Sequence, residues 1–205
     1  MDYKAIANEK SLKTTLAGLQ GRNIEPIVAD NAAQALSEIK KMIPEGALVM
    51  NGASRTLEQI GFVEYLKSGD HHYNNLHAAI VAEKDPVKQS DLRKQAVISD
   101  YYLGSVHALA ETGEFIVASN TGSQLPHIVY TSPNLIFVVG AQKIVPTLSD
   151  AMKRLEEHVI PLENENMQAK YGMGTHLSKL LIFKGEPSFL GRKIHMIIVK
   201  EVLGF

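Results

Sequence analysis

Apolar residues are densest between Asp100 and Val145, and on either side they fall into short runs separated by segments with helical spacing. Leu12, Leu16 and Leu19 stand four and three apart, which predicts a peripheral helix over residues 3–20 closed by Gly21. A short strand follows over 25–29. Asp30 or Asn31 can then cap a helix whose Ala32, Leu36, Ile39 and Ile43 share one face before Pro44. Residues 47–50 read as the next strand, and residues 51–56 turn into a helix carrying Leu57, Ile60 and, after Gly61, Val63 and Leu66. Repeated β-α steps predict an open, largely parallel sheet. From 68 to 84 the pattern is weak: Gly69 to His72 and Asn74-Asn75 mark loops, and 78–82 is a candidate strand. Asp85-Pro86 starts a helix running toward Ser99, proline being compatible with a first helical turn.

The dense central stretch reads as a strand over 101–109, a tight turn at Glu111-Thr112-Gly113, and a returning strand over 114–118, with Gly113 free to take positive φ. Residues 135–139 form a continuous apolar run ended by Gly140, the pattern of a strand buried on both faces of a helix-covered sheet. Beyond it, a helix is predicted over 148–158 and ended by Pro161, then a variable connection over 163–174. The last strands fall at 180–183 and 194–199, separated by Gly185-Glu186-Pro187. No repeat or linker interrupts the pattern, so residues 1–205 are expected to form one domain.

Composition narrows the function classes. A chain of 205 residues can bury roughly 70% of the surface its unfolded form exposes. With 45% hydrophobic and 21% charged residues it sits among ordinary globular proteins. The absence of cysteine excludes disulfides, a thiol nucleophile and any cofactor bound through cysteine, iron–sulfur clusters included. The first residues lack the apolar segment of a signal peptide and no window approaches a membrane span, so a cytoplasmic location with no membrane contact is the expectation. Basic and acidic residues number 21 and 22 with no basic run, which removes the electrostatic footprint of a nucleic-acid partner.

Several residue groups carry candidate chemistry. Ser54, Arg55 and Thr56 stand where a strand gives way to a helix, and the free N–H groups there make an anion site that hydroxyls can complete. Thr56 and Gln59 also fit a capping box, so capping alone and capping with ligand contact both stand. Glu111 can be read as a general base or carboxylate nucleophile, flanked by Thr112 and Gly113, or as a solvated turn residue. Asn120, Thr121, Gly122 and Ser123 form a polar loop able to meet an anion through successive N–H groups, or a simple connection. Lys143 follows a buried strand at its carboxyl end, where an ammonium reaches a phosphate or carboxylate or else caps carbonyls. His107 and His127 read as pocket-lining or core residues. His71, His72 and His77 lack metal-ligand spacing and are expected in an exposed loop; no metal site is expected. No dinucleotide fingerprint, Walker loop or nucleophile elbow occurs.

The central block is similar to the central motif of the lactate-utilisation (LUD) domain family. It has Asp100 opening an apolar strand, the Glu111 to Gly113 turn, the Thr121-Gly122 loop and Gly140 to Val145 after a valine-rich strand. Two further segments resemble the family in the same order: Gly52 to Leu57 with Ile60-Gly61, and Gly191 to His195 leading through Val199 to Leu203-Gly204-Phe205. The resemblance implies a three-layer α/β/α fold of the kind shared by CoA transferases, glucosamine-phosphate deaminases and ribose-phosphate isomerases. It also implies a link to the oxidation of lactate to pyruvate alongside iron–sulfur partner proteins. The chain departs from its relatives in having Gly122-Ser123-Gln124 for a frequent Gly-Asn-Arg, which removes a guanidinium able to pair with an anion. His107 replaces the usual Asn, and the cysteine cluster that some relatives carry before the final strand is missing.

The expected function is therefore binding of a small anionic metabolite at the strand ends, within or near a lactate-oxidising assembly whose iron–sulfur oxidoreductase subunits transfer the electrons. Two other readings stand beside it. One is a free-standing enzyme of CoA-transferase or sugar-phosphate-isomerase type using Glu111; the other is a non-catalytic assembly subunit. A homo-oligomer is left open. The sequence names no ligand.

Overall fold

The computed structural model describes all 205 residues. Its strands, in chain order, are β1 (Glu25–Ala29), β2 (Leu48–Asn51), β3 (Asn74–Asn75), β4 (Tyr101–Gly104), β5 (Ala108–Ala110), β6 (Phe115–Ser119), β7 (Asn134–Gly140), β8 (Ile144–Val145), β9 (Lys179–Phe183) and β10 (Lys193–Val199). Its α-helices are α1 (Glu9–Gln20), α2 (Ala32–Met42), α3 (Arg55–Gln59), α4 (Phe62–Ser68), α5 (Leu76–Ala82), α6 (Pro86–Gln95), α7 (Leu148–Arg154) and α8 (Ile160–Tyr171). Six strands form a parallel sheet in the order β1-β10-β7-β4-β2-β3, and four form a smaller mixed sheet in the order β8-β5-β6-β9. Helices cover both faces of the parallel sheet, giving the three-layer α/β/α architecture. No helix is long and apolar enough to cross a membrane.

Alternation along β7 and β10 divides the core. Leu135, Phe137 and Val139 with Met196 and Ile198 pack toward Leu12 and Leu19 of α1 and toward the small sheet. Ile136 and Val138 with Ile197 and Val199 pack toward Ile39 of α2, Leu57 of α3 and Phe62 of α4. A third cluster seals the small sheet against α7 through Ala108, Ile116, Ala151 and Leu155. Two-sided burial explains why β7 reads as one unbroken apolar run.

Local chemistry sets several boundaries that differ from expectation. Asn8 caps α1, its Oδ1 accepting from Ser11 N–H at 2.9 Å, so the helix begins at Glu9 and not at residue 3. The candidate strand at 78–82 is helical: Asn75 accepts from Ala78 N–H at 3.0 Å and starts α5. The strand expected over 101–109 is two strands, broken at Ser105 to His107, with β4 in the parallel sheet and β5 in the small one. The two final strands likewise lie in different sheets. Pro161 does not end the helix. A π-helical turn, Leu155–Val159, links α7 to α8, and Pro161 sits in the first turn of α8, where its missing N–H is tolerated. The connection expected from 163 is thus helical as far as Tyr171.

Candidate functional site

Parallel strands deliver their carboxyl ends to one edge of the sheet, and ligands of open α/β folds bind there. Here β2 ends at Asn51 and turns through Gly52 into α3; Ser105 follows β4, Lys143 closes a 3-10 turn after β7, and Leu203-Gly204 follow β10. Ser54 is the cap of α3, its Oγ accepting from Leu57 N–H at 3.3 Å. The capping box expected at Thr56 is therefore not formed. Thr56 is the second residue of α3 and buried, and Gln59 instead accepts from Gly204 N–H.

Lys143 forms the floor of the site. Its Nζ donates to Thr56 Oγ1 at 3.1 Å, Ser105 Oγ at 3.2 Å and the Val106 carbonyl at 3.2 Å, with only 4% of the residue exposed. All three acceptors are neutral. Burial, and then the Arg154 guanidinium, push the Lys143 ammonium down to about 7. Gly204 makes this packing possible: with φ at 68°, a Cβ there would run into Thr56 Oγ1 and lie 2.8 Å from Lys143 Nζ.

Beside the lysine, His107 Nδ1 accepts from Ala118 N–H at 3.1 Å, which places the ring proton on Nε2. Burial, then Lys143 and Arg154, push His107 down to about 3, so it is a neutral hydrogen-bond donor at physiological pH. Arg154 is fully buried. It donates through Nη1 to the His107 carbonyl at 2.5 Å, while its Nε and Nη2 have no partner. Two buried cations thus flank one neutral imidazole.

Lys143, Thr56, Ser105 and His107 line a cavity of about 350 Å³ bounded by the strand ends, the loop after β6, the π-helical turn, α8 and the segment around His176. Ser54, Arg55, Thr56, Asn120, Thr121, Ser123 and Lys143 all reach it. Gly122 does not; at φ 85° its N–H donates to Ser119 Oγ at 2.9 Å and shapes the loop. The Ser123 N–H turns to Thr121 Oγ1 at 3.4 Å, so two of the N–H groups expected to meet an anion are satisfied within the loop.

Glu111, Thr112 and Gly113 lie outside the cavity, and the convergence expected of Glu111 with Ser54 and Lys143 does not occur. The Glu111 carboxylate accepts from Ser11 Oγ, the Thr112 carbonyl accepts from Arg22 Nε at 2.6 Å, and Gly113 packs on the backbone of Gly18. Their turn fastens α1 to the small sheet. Of the two central histidines, His107 faces the cavity and His127 belongs to the core, stacked on Tyr102 and bonded to Ser99 and Ser132. Gln124 lines the cavity but is tied to the Ala118 carbonyl at 3.1 Å and to Tyr102 Oη at 3.3 Å. His71 bonds the Leu66 carbonyl and stacks on Tyr73, and no three His, Asp or Glu side chains gather as a metal site. Ser105, Glu163, Met167, His176 and Phe205 were not foreseen at the cavity. Only Phe205, in the tail segment with Gly204, carried any signal.

Comparison with known proteins agrees with this fold. A family model described as the LUD domain matches residues 12–178. The crystal structure of a DUF162 family protein from Deinococcus radiodurans superposes with a TM-score of 0.59 over 95% of this chain and 99% of that one. At 12% identity this likeness concerns the fold. Comparison with curated proteins gives no match.

Proposed function

Because the chain belongs to the LUD-domain family, we propose that it serves lactate utilisation by binding a small anionic metabolite in the cavity at the strand ends. One observation carries this reading: Lys143 is a buried lysine at the cavity floor whose only hydrogen-bond partners are neutral oxygens. A buried ammonium without a counter-ion is costly, and an incoming anion relieves that cost. Thr56 and Ser105 already bond the ammonium, and the Nε2–H of His107 offers a further donor. Redox chemistry falls to iron–sulfur partner proteins, since this chain has no cysteine to hold a cluster. Glu111 takes no part, which disfavours chemistry of the CoA-transferase type through that carboxylate.

A thermal-shift panel of lactate, pyruvate, sugar phosphates and CoA esters tests the proposal. A ligand at a hundred times its Kd raises native-state stability by about 2.7 kcal/mol. The expected result is a rise in Tm with at least one anion for the native protein and none for Lys143→Met. Equal shifts in both proteins, or no shift with any anion, would overturn it.

A further inference from the structure

The cavity is larger than a three-carbon acid needs, and its two ends differ in kind. A space of about 350 Å³ holds on the order of a dozen water-sized groups, and lactate supplies about half that many. The floor is polar: Lys143, Thr56, Ser105 and His107. The part of the lining that comes from the helical arm is apolar apart from Glu163. Leu155 and Val159 of the π-helical turn contribute to it, and Ile160 and Met167, seven residues apart on α8, extend it as one stripe. Met167 is half-buried, and Ile160, also half-buried, packs in part on the cluster beneath the small sheet. Phe205 continues the wall, with the Arg55 guanidinium 5.6 Å from its ring centroid.

Charge gives the cavity a direction. Glu163 lies on the α8 stripe between Ile160 and Met167 and also lines the cavity, so an anionic head is repelled from that stretch of α8, while Lys143 and Arg55 are the lining cations that attract it. The floor presents one ammonium, and the N–H groups of Gly122 and Ser123 are satisfied within their own loop. That inventory suits one carboxylate better than a phosphate dianion.

Resting on the reading above, we propose that the ligand is an amphipathic monocarboxylate. Its head sits at Lys143, Thr56 and Ser105, and an apolar chain of about six to ten carbons lies along Val159, Ile160 and Met167. The carboxylate neutralises the floor, and the chain covers apolar surface that is otherwise wetted.

Calorimetric titration with straight-chain 2-hydroxycarboxylates, from lactate to 2-hydroxydecanoate, tests this directly. Affinity of the native protein is expected to rise about fourfold for each added methylene until the chain reaches the cavity mouth. An Ile160→Ser/Met167→Ser variant should flatten that rise, and Lys143→Met should lose the whole series. Equal affinity along the series in the native protein overturns the apolar chain and leaves the anion site standing. Failure of every member to bind, or undiminished binding to Lys143→Met, removes the anion site and this proposal with it.

Discussion

Lys143 makes the folded state sensitive to pH in a defined direction. Its ammonium is pushed down to about 7 by burial and Arg154, whereas in the unfolded chain a lysine titrates near about 10.4. Between those values the unfolded chain binds a proton that the native protein does not, so this residue makes stability rise with pH from about 7 toward 10. Below 7 both states are protonated and its contribution is flat. Thermal unfolding across that window should therefore show a positive slope that Lys143→Met reduces. Glu111 tests the opposite expectation. Because it is bonded to Ser11 and lies outside the cavity, Glu111→Ala should cost about 1–2 kcal/mol in denaturant titration while leaving anion affinity unaltered. Lys143 and Thr56 both follow strand ends in the sequence, and the structure brings them to the cavity because strand ends in a parallel sheet share an edge. The place of Glu111 was not legible, because the destination of a hairpin turn depends on which sheet the hairpin joins, and nothing local to residues 111–113 records that.

Short polar caps and left-handed glycines define the elements around the site. Gly61, at φ 80°, separates α3 from α4 and redirects the chain so that both Leu57 and Phe62 enter the same core cluster. A Cβ at that position would find room, its nearest neighbour being Leu36 Cδ2 at 3.7 Å, so the penalty is conformational. Gly61→Ala should lower stability by about 1–2 kcal/mol in equilibrium denaturation with the fold retained. Strands β7 and β10 were legible because runs buried on both faces, bounded by turn residues, admit few other readings. The helix α5 was not. Five apolar or small residues in a row have no period, and Ile80 is the one residue of α5 that is buried. Nor was the passage through Pro161 legible, since proline in sequence signals a stop, and only the π-helical turn before it converts the stop into a new first turn.

At the scale of the whole molecule, the cavity rests on where the order of the parallel sheet brings strand ends together. Four loops that are far apart in sequence meet because β2, β4, β7 and β10 point the same way. The apolar wall comes from a different source, the helical arm from α7 to α8 laid across the small sheet. This division explains why the polar half of the site was readable from motifs while the apolar half was not: the arm carries no signature, only a helical stripe that could have faced anywhere.

The position of β10 has a consequence for biosynthesis. It lies between β1 and β7, yet it is the last of the ten strands to leave the ribosome. Until it arrives, the earliest strand has no neighbour, and β7 presents a bare backbone edge to whatever else is nearby. From the completion of β7 until β10 emerges, the nascent chain must therefore hold open a gap one strand in from the edge of its sheet. A stalled or truncated product would offer that gap to a second chain, making interrupted synthesis a natural route to aggregation.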